Sequence, residues 1–198
     1  MSAGLGDEDR VGSSRSPDLQ RQQKLTLIQA PTCGCRIDEI RHPRQSGQLP
    51  VVPAIVVQLG QAHPPEASLP IPLTRLRCTL TLMNHKGEFV PQEKVLHTEY
   101  EPVFSAPSIE DPNLLSEFFI FDDVMIRDCG RYTGKFTLFE MNDDVIGQPV
   151  LVRSLVDLMC PEFTVVEYAD FPIEGTIIAT PLTIHLNQHG RGIHCPPF

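Results

Sequence analysis

Residues 117–141 read EFFIFDDVMIRDCGRYTGKFTLFEM, and this stretch decides the fold. Four consecutive apolar residues at 118–121 are followed by Asp122-Asp123, and Asp128-Cys129-Gly130 is typical of a turn. After the turn, apolar and polar positions alternate. The apolar parity holds Tyr132, Gly134, Phe136 and Leu138, and the polar parity holds Arg131, Thr133, Lys135 and Thr137. The pattern predicts two β-strands joined by a tight turn, which is a hairpin.

The two arms of this predicted hairpin differ in burial. The strict alternation after residue 130 is the period of a strand with one face in the core and one in water. Residues 118–121 have no polar parity, so this arm is expected to be a central strand covered on both faces. The hairpin is therefore the expected core of the fold.

Further strands are predicted wherever short runs of β-branched, aromatic or alternating apolar residues lie between turn formers. These runs are residues 24–29, 54–59, 75–83, 150–158 and 162–168, and residues 30–53 are expected to form a long loop. One helix is predicted near the C-terminus, with Thr180 as N-cap, Pro181 in the first helical position and Gly190 closing the helix. The sequence predicts an all-β antiparallel sandwich with one short C-terminal helix.

Length and composition limit the class of protein. A chain of 198 residues favours one domain, predicted at residues 21–198, after a disordered tail at residues 1–20 that holds almost nothing apolar. Six scattered cysteines, and no apolar run as long as a signal sequence or membrane span, favour a reducing compartment. The net charge of -9 argues against nucleic acid wrapping the whole surface.

The charge is unevenly distributed. Residues 21–44 hold five basic and two acidic residues, a net of +3, whereas residues 101–170 hold fourteen acidic and four basic residues, a net of -10. A protein that presents one edge to a polyanion has such an asymmetry, and an ordinary fluctuation of surface charge also produces it. Both interpretations stay open at this point.

Several blocks carry a family resemblance. The stretch at 118–141, FTVVEYADFP at 163–172 and TPLTIHLNQHGRGI at 180–193 resemble the velvet domain, a family of fungal regulators. PTCGCRIDEIRHP at 31–43 and PAIVVQL at 53–59 resemble the first block of that family. The match covers residues 25–193, nearly the whole chain outside the predicted tail.

The resemblance implies an immunoglobulin-like β-sandwich similar to the Rel homology fold. It also implies DNA binding through the basic first block, homo- or heterodimers with other velvet proteins, and action in the nucleus on sporulation and secondary metabolism. Some velvet proteins associate with a methyltransferase-like nuclear regulator, and nuclear import responds to light in parts of the family. The resemblance implies no catalytic residue, no cofactor and no membrane partner.

Carried over by position, the basic block is partial. Cys33-Gly34 matches the family pair, and Arg41-His42-Pro43 stands where the family has Arg-Arg-Pro. The basic residue that usually precedes the Cys-Gly pair is absent. The expected DNA-binding residues are Lys24, Arg36, Arg41, His42 and Arg44. Each lost phosphate contact lowers the salt dependence and the affinity, so we expect weakened DNA binding.

Two sets of residues contain metal-ligand types. Cys33-x-Cys35 with His42 contains zinc-ligand types, but it lacks finger spacing and a second ligand pair, so two loop thiols are expected instead. Asp122-Asp123, Asp128 and Asp143-Asp144 contain calcium-ligand types, and acidic strand ends on a solvated surface explain them with fewer assumptions. No metal is expected.

Two classes of function remain. One is a DNA-binding regulator that works as a dimer, and the other is a protein-interaction module that acts through a velvet partner. The distinguishing feature is whether the arginines of residues 36–44 form an exposed patch or pair locally with Asp38 and Glu39.

Overall fold

A computed structural model describes residues 23–37, 50–61, 71–143, 149–171 and 179–193 of the chain. Within these ranges the strands are β1 Gln23–Gln29, β2 Cys33–Cys35, β3 Ile55–Gln61, β4 Leu76–Asn84, β5 Val95–Leu96, β6 Glu101–Pro102, β7 Phe104–Pro107, β8 Leu115–Phe121, β9 Met125–Ile126, β10 Gly130–Asp143, β11 Pro149–Met159 and β12 Phe163–Val166. The α-helix is α1, Pro181–Gln188. Short 3₁₀ helices lie at Leu73–Arg75, Gln92–Lys94 and Tyr168–Asp170.

The strands form two main sheets and a small third one. The first sheet has the order β1-β3-β8-β7, and the second has the order β2-β12-β10-β4-β6 with β11 also paired to β10. Strands β5 and β9 pair separately. The all-β class with one short helix is confirmed, and the named strands pair antiparallel except β2 with β12. The immunoglobulin-like and Rel-like connectivity stays a prediction.

The predicted hairpin is wrong, because its two arms lie in different sheets. Strand β8 pairs with β3 and β7, whereas β10 pairs with β4, β11 and β12. The rings of Phe121 and Phe136 meet between the sheets with centroids 5.3 Å apart. Eight residues, 122–129, separate the arms and include β9, so the connection is long enough to cross from one sheet to the other. Alternation reveals which face of a strand is buried, but it does not reveal the pairing partner.

Strand β8 is covered on both faces, as its sequence predicts. Phe119 and Phe121 are fully buried in the core between the sheets. Phe118 and Ile120 point the opposite way and pack in a second cluster that includes Leu186 of α1. Burying a large apolar side chain stabilises a fold by about 1.5–3 kcal/mol. Strand β8 buries such side chains in both clusters, so it contributes strongly to the stability of the fold.

Helix α1 begins and ends where the sequence predicts. The Thr180 side chain accepts a hydrogen bond from the backbone N–H of Thr183 at 3.0 Å, with Pro181 next to it in the first turn. Gly190 adopts a φ of +92°, which suits glycine after a helix. Gln29 of β1 donates to the Thr183 hydroxyl at 3.2 Å and so joins the helix to the first sheet.

No helix in the described ranges has the length and apolarity that a membrane crossing requires.

Part of the predicted 30–53 loop is a strand. Cys33, Gly34 and Cys35 form β2, which pairs in parallel with Thr164, Val165 and Val166 of β12. Three residues carry no readable alternation, and their partner lies about 130 residues later in the chain. Residues 38–49 of this loop and the predicted tail at residues 1–20 lie outside the described residues, so the predicted domain bounds stay untested.

A buried polar cluster fixes the segment after α1 to the core. Arg191 donates to the Ile120 carbonyl at 3.0 Å and to Glu101 Oε2 at 3.2 Å, and Asp122 Oδ1 lies 3.7 Å away. Glu101 is 3% exposed. Burial raises the pKa of Glu101 to about 7, and Asp123 and Asp122 add to this rise while Arg191 opposes it.

The core face of β10 has no room for a methyl group at Gly134. A Cβ there would lie 2.8 Å from Leu80 Cδ1, whereas a Cβ at Gly60 of β3 would meet its nearest atom at 3.6 Å. We expect Gly134→Ala to lower the free energy of unfolding by about 1–3 kcal/mol through overpacking. Gly60→Ala is the matched control and should change stability little. Urea unfolding measures both, and equal effects would contradict the packing described for β10.

The raised pKa of Glu101 gives stability a pH dependence. Between its ordinary pKa of 4.5 and about 7, the folded state holds a proton that the unfolded state has lost. This contribution is present below pH 4.5 and is lost as pH rises through about 7, and it amounts to about 3 kcal/mol. Glu101→Gln should remove that part of the slope in urea unfolding at a series of pH values. Identical slopes in the variant and the wild type would contradict it.

Candidate nucleic-acid interface

Arg36 directly follows β2 and is held by backbone contacts on two sides. Its N–H donates to the Val166 carbonyl of β12 at 2.8 Å. On the other side, Arg36 forms an isolated parallel bridge with Ile126 of β9, and the Ile37 N–H donates to the Ile126 carbonyl at 3.1 Å. The start of the basic block is therefore a fixed part of the sandwich.

Strand β9 and its partner β5 bring two more cationic residues close to Arg36. The N–H of Arg127, the residue after β9, donates to the Lys94 carbonyl at 2.9 Å. Lys94 directly precedes β5, the partner of β9. Segments from three distant parts of the chain thus place Arg36, Arg127 and Lys94 around the short strands β5 and β9.

A cavity of about 390 Å³ opens among these segments. Its lining residues are Arg36, Ile37, Arg127, Asp128, Cys129 and Glu167. Ile37 is the last described residue before residues 38–49, which include Arg41 and Arg44. The predicted basic residues therefore follow in the chain directly after a residue of the cavity wall.

The charges around the cavity are partly paired. Arg36 Nη1 donates to Glu167 Oε1 at 2.6 Å, and Lys94 Nζ donates to Asp128 Oδ2 at 2.6 Å. The hydrogen bond to Asp128 raises the pKa of Lys94. Arg127 is exposed, and its guanidinium makes no ion pair with any residue in the described part of the chain.

The Cys129 thiol shares a carboxylate with Arg36. Its Sγ donates to Glu167 Oε1 at 3.3 Å. Burial raises the pKa of the thiol, and Glu167 raises it further. A raised pKa keeps the thiol protonated at neutral pH, so Cys129 acts here as a weak hydrogen-bond donor and not as a nucleophile.

The predicted site residues are only partly placed by the structure. Arg36 lies at the cavity, whereas Lys24 is exposed on β1 in the other sheet. Arg41, His42 and Arg44 lie outside the described residues. The carboxylate shown beside Arg36 belongs to Glu167, which lies 131 residues further along the chain. Asp38 and Glu39, the expected local partners, are also outside the described residues.

Sequence reasoning missed Lys94 and Arg127. Arg127 lies within residues 101–170, whose net charge is -10. Counting charge by segment therefore hides this arginine among acidic residues. A lone arginine between a short apolar pair and a turn is the only local signal. The pairing of β9 with β5 and the bridge to Arg36 bring Lys94 and Arg127 close to Arg36. Neither contact can be predicted from the local sequence pattern.

The Cys33-x-Cys35 pair packs as core. Cys33 and Cys35 are buried together with Val52 and Phe171. His42, the third residue of the zinc alternative, lies outside the described residues.

Three aspartates of the calcium alternative, Asp122, Asp123 and Asp128, have protein partners, and Asp144 lies outside the described residues. Asp122 lies beside Arg191, and Asp123 Oδ2 accepts the Thr98 hydroxyl at 2.7 Å. Asp128 pairs with Lys94, as described above. No group of three or more His, Cys, Asp or Glu residues suited to a metal ion occurs among the described residues.

Comparisons with known proteins give one family match. Residues 101–195 match the model described as Velvet factor. No curated protein matches the chain.

Similarity to solved structures is weak. One is a copper-bound variant of FetP from a uropathogenic Escherichia coli strain, with 14% identity, a TM-score of 0.29, and coverage of 74% of this chain and 87% of that chain. Another is the 'as isolated' form of FetP from the same strain, with 14% identity, a TM-score of 0.26, and coverage of 71% of this chain and 95% of that chain. At such TM-scores the similarity carries no argument about fold or function.

The pair between Arg36 and Glu167 is exposed, so it should contribute little to folding. We expect Arg36→Ala to lower the free energy of unfolding by less than about 1 kcal/mol, because an exposed ion pair is weak. Arg75→Ala is the comparison, because it leaves the buried carboxylate of Glu140 with Arg153 as its remaining ion-pair partner among the described residues. It should lower the free energy of unfolding by more than Arg36→Ala does. Urea unfolding of both variants measures this. A larger loss for Arg36→Ala would assign Arg36 a structural role.

Proposed function

We propose that this chain, whose residues 101–195 match the Velvet factor model, is a nuclear transcriptional regulator that binds DNA as a homodimer or as a heterodimer with another velvet protein. Its targets are genes of fungal development, sporulation and secondary metabolism. The observation that carries the proposal is the cation cluster of Arg36, Lys94 and Arg127, which lies beside Ile37, the last described residue before Arg41 and Arg44 in the chain.

Electrostatics supports an oriented DNA contact. A Lys or Arg that neutralises a phosphate releases counterions, and this release favours binding at low salt. Residues 101–170 carry a net charge of -10, so most of the body repels a polyanion. DNA is then held only at the end that carries the basic loop.

Within the basic block of residues 36–44, the residue types suit two roles. Arg36, Arg41 and Arg44 contact phosphates, and Arg41 or Arg44 reads a guanine edge with its paired donors. His42 replaces a permanently charged arginine and adds a full charge only when protonated. Lys24 lies on the other sheet and is at most an outlying contact in this proposal.

The similarity to velvet proteins supports the partners and the location included in this proposal. We place the protein in the nucleus, with shuttling to the cytoplasm, and in complexes with other velvet proteins and a methyltransferase-like nuclear regulator. The proposal includes no catalytic residue, metal or cofactor.

A second candidate is an interaction module that acts through a velvet partner without binding DNA itself. Two observations favour it. Arg36 is already paired with Glu167, and Val150, Leu151 and Val152 are about half exposed on β11, which pairs with β10 alone among the described strands. Exposed edge strands are templates for pairing with another chain.

Fluorescence anisotropy with promoter-derived and random duplexes over a salt series distinguishes the two. For Arg41→Ala/Arg44→Ala, we expect the slope of log affinity against log salt to fall by about two units. The matched control, Lys135→Ala/Arg153→Ala, removes equal charge from β10 and β11 and should leave the slope unchanged.

No binding by the wild-type chain at low salt would contradict autonomous DNA binding. The interaction module would then be the better account. Sedimentation of the chain alone, and with a velvet partner, would test it.

A further inference from the structure

We propose that Arg36 and Arg127 jointly bind one backbone phosphate of DNA in the cavity between β2 and β9, with Glu167 as the internal ligand that this phosphate displaces. The inference rests on the proposed DNA binding and specifies one of its contacts. It assigns a role to Arg127 and Glu167, neither of which belongs to the basic block.

The two arginines are held in fixed relation by the backbone. The bridge between Arg36 and Ile126 places Arg36 beside the residue that precedes Arg127. The hydrogen bond from Ile37 to Ile126 and the one from Arg127 to Lys94 fix both sides of this bridge. Both arginines line the same cavity and both residues are exposed, so an anion can approach from solvent.

The local charge favours an anion. Among the described residues, Arg36 and Arg127 line the cavity together with the carboxylates of Asp128 and Glu167, and Lys94 lies beside Asp128. Lys94 and Asp128 neutralise each other, and Arg127 has no carboxylate partner within the described ranges. A planar guanidinium donates two parallel hydrogen bonds to phosphate oxygens, and two guanidiniums can hold one phosphate between them.

Glu167 forms an ion pair with Arg36 when no DNA is bound. The two side chains are 39% and 50% exposed, so water competes with their ion pair and its exchange for a phosphate costs little. Glu167 Oε1 also accepts from Cys129, and this hydrogen bond remains when Arg36 turns to another anion. Glu167 therefore lowers DNA affinity without closing the site.

The position of the cavity favours DNA over a free anion. Residues 38–49, which include Arg41 and Arg44, follow directly after Ile37, a residue of the cavity wall. A polyanion that fills the cavity is long enough to meet Arg41 or Arg44 as well, whereas a single phosphate ion contacts the cavity alone. The summed contacts raise affinity for the duplex only.

The test compares three single variants by anisotropy with one duplex over a salt series. Arg127→Ala should weaken binding about fivefold near 0.15 M salt and lower the salt slope by about one unit, as expected for one phosphate contact. Glu167→Gln should strengthen binding about twofold to fivefold. Arg153→Ala removes the same charge as Arg127→Ala about 30 Å away along β10 and β11 and should match the wild type.

Two further measurements exclude indirect effects. Thermal unfolding should show the same midpoint for the wild type, Arg127→Ala and Glu167→Gln, because these side chains are exposed. Arg127→Lys should restore the salt slope but only part of the affinity, since lysine keeps the charge and loses the paired donors.

The outcomes separate this inference from the function on which it rests. If Arg127→Ala and Arg153→Ala both match a wild type that binds with a steep salt slope, the phosphate site is wrong and the proposed function stands. If Glu167→Gln weakens binding, the displaced-ligand role is wrong. If the wild type binds inorganic phosphate but no duplex, the cavity is a free-anion site, and the DNA contact is overturned together with the proposed function.

Discussion

The fold depends on the burial of strand β8 from both sides. Four consecutive apolar side chains at 118–121 project alternately to its two faces, and none of them is exposed by more than 5%. The second sheet covers one face and α1 covers the other. A sheet face left uncovered here would expose two large apolar side chains to water, so the C-terminal helix is a required layer of the sandwich.

This constraint also builds the candidate interface. Because β8 is central in its own sheet and β10 is central in the other, residues 122–129 must cross between sheets. That crossing contains β9, whose pairing with β5 and bridge to Arg36 bring three cations together. The position of Arg127 beside the basic block is therefore a consequence of core packing, and the charge pattern of the sequence does not reveal it.

Local patterns predict local structure well in this chain. The alternation of β4 and β10, the continuous burial of β8 and the Thr180 cap all depend on neighbouring residues, and the structure confirms them. Pairing partners depend on residues far apart in sequence. For this reason the hairpin prediction is wrong, β2 was missed, and Glu167 could not be identified as the partner of Arg36.

The site follows the same division. Arg36 was predicted from its family position, but Lys94 and Arg127 required the fold. The support for the two groups of residues also differs. Backbone hydrogen bonds fix Arg36 and Arg127 at the cavity, whereas Arg41 and Arg44 are proposed from the sequence alone.

The most direct test of the central claim is mapping of ¹H–¹⁵N chemical shifts during titration with duplex DNA. The account predicts that the largest shifts occur at Arg36, Ile37, Arg127, Cys129 and Glu167 and in residues 38–49, while α1 and β11 change little. Shifts concentrated on β11 or α1, or no shifts at low salt, would contradict it.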